Sequence, residues 1–428
     1  MNVLIIGSGA REHAIAWKLR QSPRLGDLFA APGNPGIAEL ATNLPIRDSD
    51  ADAIARACRE QRIDLVVVGN EEPLAAGLVD RLAVEGIATF GPSRAAAEIE
   101  WSKVFSKELM AGHGIPTAPF AVFDTTSAAR AYVESQAGPL VVKSDGLAKG
   151  KGVIVCDSPA EALEAIDEIM VRRVFGASGD RVVIEERLSG REVSAHAFTD
   201  GQTVAHMPFS CDHKPVFDGD HGPNTGGMGA YSPADWLSDG AADTIRTQIT
   251  EAAVRAMQAE GRPYRGVLYP GLMVSGQGPL VIEFNSRFGD PEAQVLLPRL
   301  ESDLLDALWA VANNRLHETE VRWSDQACVA VAMASGGYPG PYETGLPVEG
   351  IDDVEPGVCV FHAGTRSEGG RLVTGGGRVL TVAATGATME AAREKAYRNV
   401  ERIRFEGAHY RRDIGAPRAA AGASPLLH

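Results

Sequence analysis

Cysteine is scarce: Cys58, Cys156, Cys211, Cys328 and Cys359 stand singly, with no CxxC pair among the 428 residues. An odd, scattered set excludes a disulfide framework or a zinc knuckle and reads as free thiols in a reducing cytosol. Positive charge is also in deficit. Lys and Arg number 41 against 56 Asp and Glu, a net charge of −15 with His neutral. That balance argues against a chain-wide nucleic-acid surface, because neutralising phosphates needs a basic face. No apolar run approaches the roughly 18 residues of a membrane span. The opening MNVLIIGSGAREHAIAW offers only Val3 to Ile6 before glycine, so neither a signal nor a transit peptide is expected. A Ser-His-Asp or Cys-His constellation is missing as well, which turns attention away from side-chain nucleophiles. The remainder, 44% hydrophobic and 23% charged, is ordinary for globular protein and excludes wholesale disorder. At about 150 residues per domain the length predicts two to four domains.

Apolar strands alternating with helices open the chain. Asn2–Ile6 reads as a strand, Gly7-Ser8-Gly9 as a tight turn, and 11–20 as a helix with Ala14, Ile15 and Leu19 on one face. The runs 63–69 and 88–90 repeat the strand pattern, predicting a parallel α/β sheet over residues 1–100. A helix is expected from Arg94 to Met110, then strands at 139–143, 153–156 and 181–186 with a helix at 159–172. Asp200-Gly201 predicts a hairpin joining 192–199 to 203–209. The stretch 211–233, rich in Gly, Asp, His and Asn, reads as a long loop of functional purpose. A helix at 243–260, strands at 266–275 and 279–284, and a helix at 302–314 follow. From 324 to 415, short strands at 327–334, 358–362 and 378–384 precede the helix 389–403 and predict a small α+β domain. Residues 416–428 read as a disordered tail.

Four segments carry chemistry. Gly7-Ser8-Gly9-Ala10-Arg11-Glu12 begins like a dinucleotide fingerprint, but Glu12 holds the third glycine's place and no acid ends the second strand. NAD is therefore not expected, although the helix start suits a phosphate. Lys143-Ser-Asp-Gly146-Leu-Ala-Lys149-Gly150-Lys151-Gly152 sets glycines and lysines between two strands, as a flap over a polyphosphate would; an exposed basic hairpin fits equally. It is not a Walker loop, which opens a helix. The strand 181–186 ends on Glu185 and Glu186, whose backbone could read an adenine edge or be a solvated strand end. Along Val281–Asn285, alternation puts Ile282 and Phe284 on one face and Glu283 with Asn285 on the other. A carboxylate and an amide oxygen there suit Mg²⁺ between protein and phosphates, or a merely polar sheet face. Arg287, Asp290 and Glu292 crowd beside it, a charge density costly unless it binds something.

In this order the segments resemble the ATP-grasp superfamily and, within it, the phosphoribosylamine–glycine ligase (glycinamide ribonucleotide synthetase) family. GSGAREHA (7–14), APGNPG (31–36), GPSRAAAEIEWSK (91–103), KSDGLAKGKGV (143–153), HGPNTGGMGAYSP (221–233), EFNSRFGDPEAQ (283–294) and TGGGRVL (374–380) carry the resemblance from Met1 to about Gly415. It implies a multidomain α/β and α+β fold. An N-terminal Rossmann-like preATP-grasp domain would span 1–100 and an ATP-grasp domain 101–323, with its lid at about 120–188. A C-terminal α+β domain would span 324–415. It implies ligation of glycine to 5-phosphoribosylamine at the expense of ATP, through glycyl phosphate, in de novo purine synthesis, by a cytoplasmic monomer with no nucleic-acid or membrane partner.

The same resemblance distributes roles. Lys103 and Lys143 would hold phosphates beneath Gly146, Gly150, Lys151 and Gly152. Glu185, Glu186 and Leu188 would line the adenine, and Glu192 would take the ribose. Glu283 and Asn285 would bind Mg²⁺ or Mn²⁺. Gly9, Arg11, Glu12, Asn34, Gly36 and Glu71 would face phosphoribosylamine. Asp212, Asn224, Thr225, Arg287 and Asp290 would surround the acyl-transfer centre, with Arg287 and Asp290 catalytic. The chain departs from the family at Asn70, Ser144, Lys149, Arg191 and Ser286; Lys149 and Arg191 add charge at the lid and beside the nucleotide. A carboxylating ATP-grasp enzyme and a nucleotide sensor without catalysis are the competing readings.

Overall fold

The computed structural model describes residues 1–147 and 152–417; the expectations for Lys149, Gly150, Lys151 and all but the first two residues of the tail fall outside them. The first sheet is parallel, with strands in the spatial order Thr42–Asn43, Leu28–Pro32, Val3–Gly7, Leu65–Val68 and Ala88–Phe90. Its central residues alternate between two cores. Ile5 and Val67 pack with Ala14 and Ile15, while Leu4, Ile6 and Val66 pack with Ile54 and Leu74. Both faces are covered, as continuous apolar runs require. The expected helix 94–110 is two helices, Arg94–Trp101 and Lys103–Gly112. Ser102 breaks them, because its hydroxyl caps the second by accepting from the Phe105 amide and donates to Asp145.

Two further sheets enclose a cleft. Phe120–Phe123, Val182–Glu186, Leu140–Ser144 and Val153–Cys156 form an antiparallel sheet backed by the helices Thr126–Ser135 and Pro159–Ile166. The second is built on Gly266–Ser275, which pairs with Gly278–Asn285, Arg191–Ser194 and Ala197–Thr199. The Asp200-Gly201 turn forms between Ala197–Thr199 and Val204–His206, with Gly201 at φ +93°. The expected single strand 192–199 is split, its halves pairing with opposite ends of Gly266–Ser275.

Residues 211–233 are not a loop. They hold the strands Cys211–Asp212, Pro215–Phe217, His221–Asn224 and Gly229–Ser232. Glycine and polar content hid them, since a short ribbon has little apolar alternation to show. Gly229–Ser232 pairs with Ala327–Ala334, so the C-terminal sheet, ordered 211–212, 229–232, 327–334, 378–386 and 358–362, recruits strands from the middle of the chain. Among the described residues no helix is long and apolar enough to cross a membrane.

The N-terminal and C-terminal sheets meet at two histidines. The His362 amide donates to Nδ1 of His13 at 2.9 Å, and Asn34 Nδ2 donates to the His362 carbonyl at 2.8 Å. Burial, with His362 adding, pushes His13 down to about 3; burial alone takes His362 to about 4. Both stay neutral in the fold, whereas the unfolded chain binds their protons below about 6.5. Stability attributable to them is therefore complete above that pH and falls as acid approaches their folded values, by about 1.4 kcal/mol per pH unit for each. Melting temperatures between pH 6.5 and 4 should fall less steeply in His13→Gln than in the parent; parallel profiles would remove the junction from the account.

Candidate active site

A cavity of about 410 Å³ opens between the antiparallel sheet of 120–123, 182–186, 140–144 and 153–156 and the sheet built on 266–275. Val141, Val153 and Val155 wall one side; Leu188, Met273 and Ile282 wall another. These side chains make one part of the slot apolar, and Glu186 and Arg187 edge it where the chain crosses between sheets. A smaller space of about 140 Å³ continues from it past Val153, Glu283, Asn285 and Arg287 to Lys103, Gly146 and Gly152.

The strand Gly278–Asn285 does not alternate as expected. Glu283 pairs with Gly271 but Val281 with Leu272, leaving Ile282 as a bulge. Val281 and Phe284 consequently share the core, while Ile282 joins Glu283 and Asn285 in the cavity. The bulge re-aims one side chain, as bulges do beside active sites. Burial works to raise Glu283, but Lys103, Lys214, Lys143 and Arg287 together hold it below its ordinary value and therefore ionised. Asn285 Nδ2 is turned to the Tyr269 carbonyl at 3.5 Å, so its oxygen is the atom a cation can use. No group of three His, Cys, Asp or Glu suited to a metal occurs among the described residues. Two hard oxygens beside a phosphate-sized space nevertheless fit a cation whose remaining ligands are phosphate and water.

Glu185 lines the cavity, yet its carboxylate is ion-paired to both Lys143 and Lys107. Lys143 Nζ also donates to the Ile282 carbonyl at 2.9 Å, and Lys107 Nζ to Thr117 Oγ1 at 2.7 Å. Burial and then Lys143 press Lys107 down to about 8 against the pull of Glu185. Lys103 Nζ donates to the Glu100 carbonyl at 2.9 Å and stands 3.9 Å from Glu283. At the far rim Lys214 Nζ contacts Glu192 at 2.7 Å and Asp212 at 3.1 Å. Burial, with Glu292 and Glu192 adding, lifts Asp212 to about 7 despite Lys214. Arg191 stacks its guanidinium 4.0 Å over Trp236.

Arg287 sits at the meeting point, its side chain 16% exposed. It reaches Glu71 at 3.3 Å and Glu100 at 3.0 Å. Burial would lower it, but Glu100 and Glu71 raise it well above the usual arginine value. Reciprocally, burial would raise Glu71, but Arg287 and Arg11 hold it at about 2. Glu100 also accepts from the Ser286 amide and hydroxyl, at 2.8 and 2.6 Å. Asp290 accepts from Gln294 at 2.7 Å and from Arg378 at 2.9 Å.

The N-terminal turn is bound up in the protein itself. Glu12 accepts from the Gly9 amide at 2.6 Å and from Arg11 Nε at 2.7 Å, and Arg11 reaches the Phe288 carbonyl at 3.2 Å. A Cβ on Gly69 would lie 2.2 Å from Glu12, so the acid fills the space that a third fingerprint glycine would leave. Asn34 caps its helix and Gly36 abuts His13. These five do not line the cavities, although Gly9 faces Asp290, 3.7 Å from the position of a Cβ. Asn224, Thr225, Asp290 and Glu192 do line the large cavity, and Glu71 the small one. Sequence reasoning missed Lys107, Glu100, Tyr269 and Arg378. Lys107 stands one helical turn after Lys103, and Arg378 lies inside TGGGRVL, so both left a readable trace.

Three family descriptions match in succession: phosphoribosylglycinamide synthetase N domain over 1–100, ATP-grasp (A) domain over 101–293, and C domain over 328–417. The phosphoribosylamine–glycine ligase of Halalkalibacterium halodurans is 47% identical over 416 residues, covering 97% of each chain. The crystal structure of phosphoribosylamine–glycine ligase from Thermotoga maritima superposes with a TM-score of 0.86 at 34% identity, covering 97% of this chain and 100% of that one. Biotin carboxylase from Campylobacter jejuni, in complex with an ATP analogue, shares the fold at a TM-score of 0.75 and 14% identity, over 97% of this chain and 94% of that one.

Removing one partner of an enclosed ion pair leaves the other charge stranded at a cost of about 3 kcal/mol or more. Glu100→Ala should therefore lower the melting temperature by several degrees. Glu100→Gln, which still accepts from Ser286, should lower it less. Equal melting of both variants and the parent would show that Arg287 does not depend on Glu100.

Proposed function

The chain belongs to the phosphoribosylglycinamide synthetase family, and from that membership and the cleft we infer an ATP-dependent ligase joining glycine to 5-phosphoribosylamine. It forms glycinamide ribonucleotide, ADP and phosphate in purine biosynthesis. The single observation that carries the assignment to this cleft is the convergence of Glu283, Asn285, Lys103, Lys143 and Arg287 on one continuous space.

A carboxylate does not acylate an amine directly, because its leaving group would be oxide. Glycine's carboxylate instead attacks the γ-phosphorus, and glycyl phosphate then loses phosphate to the amine. The first step needs charge neutralisation and in-line alignment more than a side-chain nucleophile. Adenine enters the slot between Val141, Val153 and Ile282, against the backbone of Glu186 to Leu188, and Glu192 takes the ribose. Lys143 and Lys103 face the phosphates, with Gly146 and Gly152 on the same space. Glu185 restrains Lys143 rather than touching the base. The reaction uses a divalent metal, which Glu283 and Asn285 would hold; their oxygens suit Mg²⁺ or Mn²⁺, and the ion supplies charge neutralisation at the phosphates.

Asp290, Asn224, Thr225, Asp212 and Arg287 surround the position of acyl transfer. Glu71, on the small cavity, and Gly9, which faces Asp290, mark the side that receives the phosphoribosyl group; Arg11, Glu12, Asn34 and Gly36 support that side from positions that line neither cavity. The chain divides functionally into 1–100, 101–323 and 324–415. A monomer in a cytoplasmic setting completes this reading, and five unpaired thiols fit that setting.

ADP release should require glycine and phosphoribosylamine together; full release with either omitted would contradict ligation. Glu283→Ala should reduce turnover at least a hundredfold with a ligand-free melting temperature within a few degrees of the parent. Near-normal turnover at saturating Mg²⁺ would free Glu283 of the role.

A further inference from the structure

Arg378 opens the strand Arg378–Gly386 of the C-terminal sheet, outside the nucleotide slot, yet its guanidinium enters the acyl-transfer region. Nη1 donates to the carbonyls of Gly226 at 2.7 Å, Asp290 at 2.9 Å and Gly227 at 3.2 Å. Nη2 donates to the Asp290 carboxylate at 2.9 Å. Gly226 is gripped from the other side, its amide donating to the Tyr338 hydroxyl at 3.1 Å. One cation thus ties together the two turns that follow Asn224-Thr225 and Arg287. These turns touch without slack, since a Cβ on Gly227 would lie 2.4 Å from Pro291. A planar guanidinium reaches several carbonyls and a carboxylate at once, as a lysine ammonium on a flexible stem does not.

We propose that Arg378 is a positioning residue for the amine-transfer half of the reaction and not for phosphorylation of glycine. This rests on the ligase reading above. In that half the amine nitrogen bonds to the glycyl carbon and the bond from that carbon to the phosphate oxygen breaks. Phosphate leaves with the electron pair and takes up the proton the nitrogen sheds. Asp290 and residues 224–226 flank the cavity where this occurs, whereas Arg378 lines neither the adenine slot nor the phosphate space. Loosening the two turns should therefore spare glycyl phosphate formation and leave the intermediate to water.

The test compares ADP with glycinamide product for the parent, Arg378→Ala and Arg378→Lys. Misplacement on the ångström scale costs about a hundredfold in rate. Arg378→Ala should lose about that factor in product turnover, keep the KM for ATP within twofold, and release several ADP per product. Arg378→Lys should recover part of the coupling. One ADP per product in every variant, or a loss accompanied by a parallel rise in the KM for ATP, would overturn the proposal. If Arg378→Ala does not fold, Tyr338→Phe frees one side of Gly226 and should also raise the ADP-to-product ratio; an unchanged ratio there overturns the proposal equally. A parent that makes no product from glycine and phosphoribosylamine would instead defeat the ligase reading.

Discussion

A cation withdrawn from water must be given its counter-charge by the fold, and Arg287 imposes this constraint on three segments at once. Its guanidinium follows the strand that carries Glu283 and Asn285. Glu71 opens the helix after the strand Leu65–Val68 of the N-terminal sheet, and Glu100 comes from the helix leading out of that sheet. Neither acid is within reach unless the N-terminal unit and the strand pair 266–285 are docked in one way. Because an unpaired charge in such a place costs several kcal/mol, the docking is strongly specified. The Lys107–Glu185–Lys143 group does the same for the antiparallel sheet of 120–186, drawing Val182–Glu186 and Leu140–Ser144 onto the helix Lys103–Gly112.

The catalytic demands explain why so many charges are gathered at low exposure. The chain is acidic overall, with net charge −15, yet Lys103, Lys143, Lys214 and Arg287 all act on Glu283 along the two connected cavities. Each is held by a carboxylate or a carbonyl, so little reorganisation is left for the moment of reaction. An acyl phosphate is also vulnerable to water, which gives enclosure a chemical purpose.

Much of the fold was legible because its signals were local. The apolar runs at 3–6 and 65–68, the Asp200-Gly201 turn and the paired oxygens of Glu283 and Asn285 follow from period and turn chemistry. The bulge at Ile282 was not legible. The alternation rule assigned Ile282 to the core, and the bulge is defined by the partner strand, sixteen or fewer residues away yet silent in composition. Within 211–233 the strand Gly229–Ser232 is silent because its partner Ala327–Ala334 lies about a hundred residues on, while Pro215–Phe217 and His221–Asn224 pair only with each other and lack apolar alternation. Glu12 illustrates a subtler miss: the departure from glycine is plain in the sequence, but its grip on the Gly9 amide depends on the empty face of Gly69, just beyond the strand Leu65–Val68. Arg378 leaves its motif as a trace, but its partner and that of Glu100 lie 88 and 186 residues away in sequence and give no local signal.

Carboxylate activation and amine transfer share one cleft in this account, and the oxygen that glycine contributes to the γ-phosphorus marks that path. Glycine carrying ¹⁸O in both carboxylate oxygens, turned over with ATP and phosphoribosylamine, tests it directly. One labelled oxygen in each phosphate released, with the other retained in the amide product, is the predicted result. Unlabelled phosphate would contradict the account.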